Sequence, residues 1–277
     1  MSKPAVSSTS TAGGRDSLPR RLSTAAVGIP VILLFIWAGG YPFTALVGLA
    51  ALLGLWEFYR LSNVQSIWLQ RTPGMVVTVL LVATGYQIAN WMVLLVLCGL
   101  LALLSAHRGR IPSSARPWLL TLAGPLYLGA TLSYAVALRG LVQGREWVLL
   151  AVLSTFSVDT FAYIVGKAIG RHRMAPMVSP GKTWEGAVAG LAAGVAATVV
   201  LDTVLSLPLA TWEAAALGTG IGVVAQAGDL LESALKRAAK AKEAGWLIPG
   251  HGGILDRLDS IVFTLVLVYH GFRWAAT

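Results

Sequence analysis

The sequence predicts an all-α, polytopic integral membrane protein of about nine transmembrane helices. Its N-terminus is expected in the cytoplasm, and a polar, cytoplasm-facing active-site cavity is expected in the C-terminal half. Three observations carry this reading. Hydrophobic residues make up 56% of the 277 residues and charged residues 12%, too few polar groups to clothe a water-soluble domain. Apolar runs long enough, or nearly so, to cross a hydrocarbon core recur along the chain. Lys and Arg are shared unequally between the intervening loops.

Residues 1–19 are rich in Ser, Thr, Pro and Gly, show no apolar period, and are expected to form a disordered cytoplasmic tail. Arg20-Arg21 ahead of the first apolar run resembles a secretory or twin-arginine signal, but further spans follow at once, so that run is read as a retained helix. The expected spans are 24–40, 43–59, 74–90, 91–106, 118–137, 147–166, 186–206, 213–230 and 260–275. Trp37, Trp56, Trp91, Trp118, Trp147, Trp212 and Trp274 fall near their ends, where indole favours the headgroup region. With the N-terminus inside and sides alternating, only Arg139, Arg145 and Arg273 of the 21 Lys and Arg lie outside, as the positive-inside rule requires.

The net charge of +9 is spread over cytoplasmic loops with no soluble domain to present it, so it points to topology and anionic lipid and away from nucleic acid. The single cysteine, Cys98, sits in an apolar span and offers neither a disulfide framework nor a cysteine metal site. Most of the 12 acidic residues lie in the C-terminal half. Residues 20–146, about five helices with almost no acid besides Glu57, therefore read as a transmembrane scaffold, and 147–277, about four helices, as the catalytic region.

Asp159 lies inside the sixth span, with Tyr163 and Gly166 on the same helical face, and needs compensation from the protein interior. The next loop carries Arg171, His172, Arg173 and Lys182, and Ser179 and Thr183 add hydroxyls just before a helix N-terminus, a combination suited to an anion. Gly181-Lys182-Thr183 is not a P-loop, because the first glycine of that motif would fall at Pro176 and the sequence shows no preceding strand. Gly186, Gly190 and Gly194 form a small-residue stripe that allows close helix packing and permits a homodimer. Glu185 precedes the stripe, and Gln226, Asp229, Glu232 and Ser233 close span eight, with Asp229 and Glu232 on one face.

The stretch from Ser233 to Asp259 is the most informative. Lys236, Arg237, Lys240, Lys242 and Arg257 surround Gly250-His251-Gly252-Gly253, and Asp256 and Asp259 stand three residues apart. Cations, a glycine-rich turn and paired carboxylates suit phosphate oxygens and a divalent cation.

Ser233, Leu235-Lys236-Arg237, Lys242, Gly245, Ile248-Pro249, His251-Gly252-Gly253, Asp256-Arg257 and Asp259 resemble, at the required spacing, the signature of the phosphatidate cytidylyltransferases, or CDP-diacylglycerol synthases. Asp159 with Ala162-Tyr163 and Gly166, Ser179-Pro180 with Lys182-Thr183 and Glu185-Gly186, and Gln226 with Gly228-Asp229 and Glu232-Ser233 resemble further segments of that family. One departure is Glu243, where the family usually has Asp. The resemblance is close over 150–260 and rests on hydrophobic pattern alone in the N-terminal spans.

The resemblance implies transfer of CMP from CTP to phosphatidic acid at a cytoplasmic membrane surface, with Mg²⁺ bound by carboxylates, and a multi-pass protein of the bacterial inner (cell) membrane. On it, Asp229 and Asp256 are expected to hold the metal, with room for a second cation. Lys182, Lys236, Arg237 and Arg257 would hold phosphates, and Ser179, Thr183, Ser233 and the Gly252-Gly253 backbone would donate hydrogen bonds. His251 would meet a phosphate oxygen or a metal-bound water, and Asp259 would orient Arg257 or take the second cation. Glu185 and Asp159 would join the substrate site. The alternatives are a polyprenol or phytol kinase, a cytidylyltransferase acting on ether lipids and, from another class, a transporter.

Overall fold

A computed structural model describes residues 17–64, 71–84, 116–247 and 252–275. The chain opens with helices α1 (Ser17–Ala38), α2 (Gly40–Leu61), α3 (Thr72–Thr84) and α4 (Arg116–Gly124). A π-helical turn, Pro125–Ala130, joins α4 to α5 (Thr131–Arg139), so one helical segment runs from Pro117 to Arg139. Pro125 has no N–H to give an i−4 carbonyl, a local cause for the wider turn. Helix α6 (Gly144–Ile169) is followed by strands β1 (Arg173–Ala175) and β2 (Ser179–Thr183), then α7 (Trp184–Leu205), α8 (Thr211–Ala238), the single turn α9 (Leu255–Leu258) and α10 (Ile261–Ala275).

Five helical segments, 40–61, 117–139, 144–169, 184–205 and 211–238, are long and apolar enough to cross a membrane. Large apolar side chains also face outward, with Leu34 and Val188 65% and Val204 70% exposed; a water-soluble chain does not clothe itself this way. This is a helical membrane protein. Expected spans one, three and nine overlap α1, α3 and α10, whose described apolar stretches are shorter, and residues 85–90 of span three lie outside the described residues. Span four, Cys98 and residues 1–16 lie outside the described residues, and α1 starts within the segment read as tail.

Two expectations are corrected. The fold is not purely α: the loop after α6 is an antiparallel hairpin pairing Arg173 with Thr183 and Ala175 with Ser179 across an irregular register. Pro180 is tolerated there because both strands are edges. Helix α8 also extends past the predicted end at 230 to Ala238. Charged residues lower the hydropathy of its last turns, yet Asp229, Glu232, Ser233 and Lys236 keep helical spacing.

The core is one continuous apolar cluster from Ile36 on α1 to Tyr269 on α10. Within it Trp147 meets Phe272 edge-on at 5.3 Å, and Tyr134 meets Tyr269 at 5.2 Å. At one end of the bundle Arg139 Nε donates to the Ile36 carbonyl at 2.8 Å, satisfying an orphan acceptor where α1 stops. Gly39, at φ 62°, turns the chain there. Arg145 lies 4.3 Å over the Trp37 ring, and Gln143 Nε2 donates to the Ser206 carbonyl at 3.0 Å. The hairpin and α9 lie at the other end, where α6 finishes and α7 begins.

The glycine stripe packs within the chain. A Cβ on Gly190 would sit 2.9 Å from the Val158 carbonyl and 3.0 Å from Ala162 Cβ, and one on Gly194 2.8 Å from Val158 Cγ2. Thr198 Oγ1 donates across the same contact to Ser154 Oγ at 3.1 Å. Gly190→Leu should therefore lower the midpoint of thermal unfolding in detergent by several degrees, an overpacking cost of about 1–3 kcal/mol. Gly48→Leu, where a Cβ meets nothing within 4 Å, should leave the midpoint unchanged.

Candidate active site

A cavity of about 1160 Å³ opens at the hairpin end of the bundle. Helix α6 contributes Asp159, Tyr163 and Lys167 to its wall, and the hairpin contributes Arg173, Ser179, Lys182 and Thr183. Helix α8 contributes Gln226, Asp229 and Lys236, and the segment beyond it Lys242, Glu243, Trp246, Gly252, Asp256, Arg257 and Asp259. Residues far apart in sequence thus converge because α7 lies tightly on both α6 and α8.

Lys182 and Lys236 are paired internally with carboxylates. Lys182 Nζ lies 2.7 Å from Asp229 Oδ2, and Ser233 Oγ donates to Asp229 Oδ1 at 3.3 Å. Lys236 Nζ stands between Glu232 Oε2 at 2.5 Å and Asp256 Oδ1 at 2.7 Å. The Ala244 and Gly253 N–H groups donate to Asp256 Oδ2 at 3.0 and 2.9 Å. Burial pushes the Asp256 carboxyl up, but Lys236 and the Gly253 N–H outweigh it and hold it below its ordinary value.

Asp229, Glu232 and Asp259 each offer an oxygen within 4.8 Å of the others. Glu232 is fully buried, and its Oε1 has no hydrogen-bond partner among the described residues. Burial, reinforced by Asp229 and in part by Asp159, pushes the Asp259 carboxyl up to about 7, against the N–H of Ser260. Three carboxylates crowded together, one oxygen unsatisfied, form a donor set that suits a hard divalent cation. Asp159 comes to the same region from α6, accepting from Ser260 Oγ at 3.5 Å.

Other expected site residues have structural employment. Thr183 caps α7, accepting from the Gly186 N–H at 3.2 Å while still touching the cavity. Glu185 turns to the hairpin, where His172 Nδ1 lies 2.6 Å from its Oε1. Arg237 Nε donates to the Val178 carbonyl at 3.1 Å, tying the hairpin to α8. Glu185, Arg237, Ser233 and Gly253 stay off the cavity wall; His251 lies outside the described residues.

Sequence reasoning missed Glu232 as a third member of the acidic cluster, and Lys167 and Trp246 as wall residues. Glu232's spacing from Asp229 was the available signal. Lys167 is one turn beyond Tyr163, its Nζ 3.5 Å from the Tyr163 hydroxyl.

The pattern of the cytidylyltransferase family matches residues 19–274. The chain belongs to the cytidylyltransferase family. It is 33% identical over 259 residues to the phosphatidate cytidylyltransferase of Brucella abortus biovar 1 (strain 9-941), covering 92% of this chain and 93% of that protein. Identity to the protein of that name from Staphylococcus epidermidis (strain RP62A) is 30%, over 90% of this chain and 96% of the relative. For Bacillus subtilis (strain 168) it is 29%, over 91% and 96%.

Lys236 is the most consequential cation of the site for stability, its side chain 15% exposed and Glu232 wholly enclosed. Lys236→Met should remove about 3–5 kcal/mol by leaving buried carboxylates uncompensated, read as a marked fall in the thermal midpoint. Lys240→Met, at a residue outside the cavity wall, should leave the midpoint unchanged.

Proposed function

We infer that the chain is a phosphatidate cytidylyltransferase, transferring CMP from CTP to phosphatidic acid to give CDP-diacylglycerol and pyrophosphate for phospholipid synthesis. The observation that carries this is coverage: relatives of that name match 90–92% of the chain, cavity walls included.

The lipid phosphate, a phosphomonoester with a second pKa of about 6, is largely ionised near neutral pH and needs no strong protein base. Its oxygen attacks the α-phosphorus of CTP; the bond from that phosphorus to the bridging oxygen breaks, and pyrophosphate leaves with the electron pair. The protein's work is positioning and charge neutralisation. Lys182, Lys236 and Arg257 line the cavity for phosphate oxygens, Ser179 adds a hydroxyl, and Gly252 lets backbone approach the ligand. Arg237, held on the hairpin, acts through that loop.

The residues fit a divalent cation, Mg²⁺ in this reading, which when bound neutralises triphosphate charge. Asp229 would hold it. Sequence alone paired Asp229 with Asp256, whereas the geometry favours Asp259 and Glu232 as its partners and leaves Asp256 to Lys236 and two backbone N–H groups. We place the cavity at the cytoplasmic face of the cell membrane, with 20–146 as scaffold and 147–277 as the catalytic region. The stripe glycines serve contacts among α6, α7 and α8, so a homodimer would need another face.

The test is purified protein in lipid-containing detergent with CTP labelled at the α- or γ-phosphate, phosphatidic acid and Mg²⁺. α-Label should enter a CDP-lipid, and Asp229→Asn should lose about 100-fold or more in turnover while remaining membrane-inserted. γ-Label in a polyprenol or phytol would move the assignment to a lipid kinase, preference for an ether-linked acceptor to the ether-lipid enzyme, and no product to the transporter.

Glu243 lines the same cavity, and Glu243→Asp keeps its charge within one methylene. Its turnover should stay within about threefold of wild type. A loss beyond tenfold would mean that the cavity is shaped around the longer side chain.

A further inference from the structure

Glu57 is a carboxylate of α2, in the half otherwise almost empty of acids, and it is fully buried. It reaches the loop that carries Asp256. The Leu255 N–H donates to Glu57 Oε2 at 2.8 Å, across 198 residues of sequence. Oε1 has no hydrogen-bond partner among the described residues. Two glycines close around the carboxylate: a Cβ on Gly245 would overlap Oε1, and one on Gly253 would overlap Oε2. Asp256 binds the same two strands of loop from the other side, through the neighbouring Ala244 N–H and through Gly253 itself.

The geometry points to Glu57 as a positioning residue: from the scaffold half, it clamps the backbone of 245 and 253–255 so that Asp256 and Arg257 face the cavity. It touches neither substrate nor cation. A buried carboxylate is tolerated here because backbone N–H groups at the start of α9 receive it, and the glycines are needed because any side chain would displace it. The inference rests on the cytidylyltransferase reading. Displacing catalytic groups by about 1 Å can cost about 100-fold in rate, so the expected signature is lost turnover with substrate affinity retained.

The test compares wild type, Glu57→Gln, Glu57→Ala and Gly245→Ala, with and without Glu57→Ala, normalised to folded, monodisperse protein. Glu57→Gln, which keeps an acceptor for the Leu255 N–H, should hold kcat within about threefold. Glu57→Ala should lower kcat by about 30-fold or more while KM for CTP and for phosphatidic acid moves less than about threefold. Hydrogen exchange over residues 252–258 should quicken in Glu57→Ala and leave α7 unchanged. Gly245→Ala should damage wild type more than the Glu57→Ala protein, because the clash is with Glu57 itself.

A Glu57→Ala protein with wild-type kcat per folded molecule would overturn the positioning role. So would additive effects of the two substitutions, or equal kcat losses in Glu57→Gln and Glu57→Ala. If wild type forms no CDP-diacylglycerol, the functional reading falls and the role falls with it. If wild type is active and Glu57→Ala equals it, only the positioning role falls.

Discussion

The cavity depends on one ammonium group. Lys236 enters from α8 between Glu232, one turn earlier on the same helix, and Asp256, across the loop. Neither carboxylate could stand where it does alone, because a charge removed from water must find an opposite charge and hydrogen bonds. Lys236 supplies the charge, and the N–H groups of Ala244 and Gly253 supply the bonds to Asp256. Since Lys236 and Glu232 belong to α8 while Asp256 and its N–H donors belong to the segment beyond it, compensating the charges also fixes where those pieces lie. The end of α8, both ends of the following loop and the start of α9 are set by the same contact.

A second constraint works at right angles to the first. Helix α7 lies so close to α6 that Gly186 packs on the Ala162 carbonyl and Gly166, and Gly194 meets Val158 on α6 and the Gly218 carbonyl on α8. Such approach is open only to residues without side chains. It brings Asp159 of α6 and Asp229 of α8 to one cavity although α7 separates them in sequence. Packing made from the smallest residue thus locates the most polar ones.

What the sequence disclosed, and what it hid, follows from range. Helical class, the glycine stripe and the gathering of Asp159, Lys182, Asp229, Asp256 and Asp259 were legible because each leaves a local mark: a period, a spacing or an ionisable group in an apolar run. The hairpin was not. Its pairing joins Arg173 to Thr183 through a Pro-containing strand that reads as a loop. The end of α8 was misplaced because hydropathy falls where the helix leaves its apolar surroundings, while its hydrogen bonding continues. The division of Asp229 and Asp256 between an acidic cluster and a lysine pair depends on contacts between α8 and residues 20 to 30 positions further on, which no spacing encodes. Glu57 left a mark, a lone acid in an apolar half, but its partner lies 198 residues away.

The pairing of charges bears on how such a cavity receives its substrates. Of the wall cations, Lys182 faces Asp229 and Lys236 faces Glu232 and Asp256, so these two are not simply waiting for phosphate. A triphosphate alone would meet carboxylates already drawing on those cations, and a divalent cation alone would meet ammonium groups already drawing on the carboxylates. On the cytidylyltransferase reading, a metal–triphosphate complex would match both sets together: Asp229 would hold the cation in place of Lys182, whose ammonium would then be left for a phosphate oxygen. Exchange of one ion pair for another keeps the charge balance of a low-dielectric site nearly constant, so neither partner enters against an uncompensated charge. On the cytidylyltransferase reading, nucleotide and metal should therefore bind cooperatively, with the coupling carried by the Lys182–Asp229 pair.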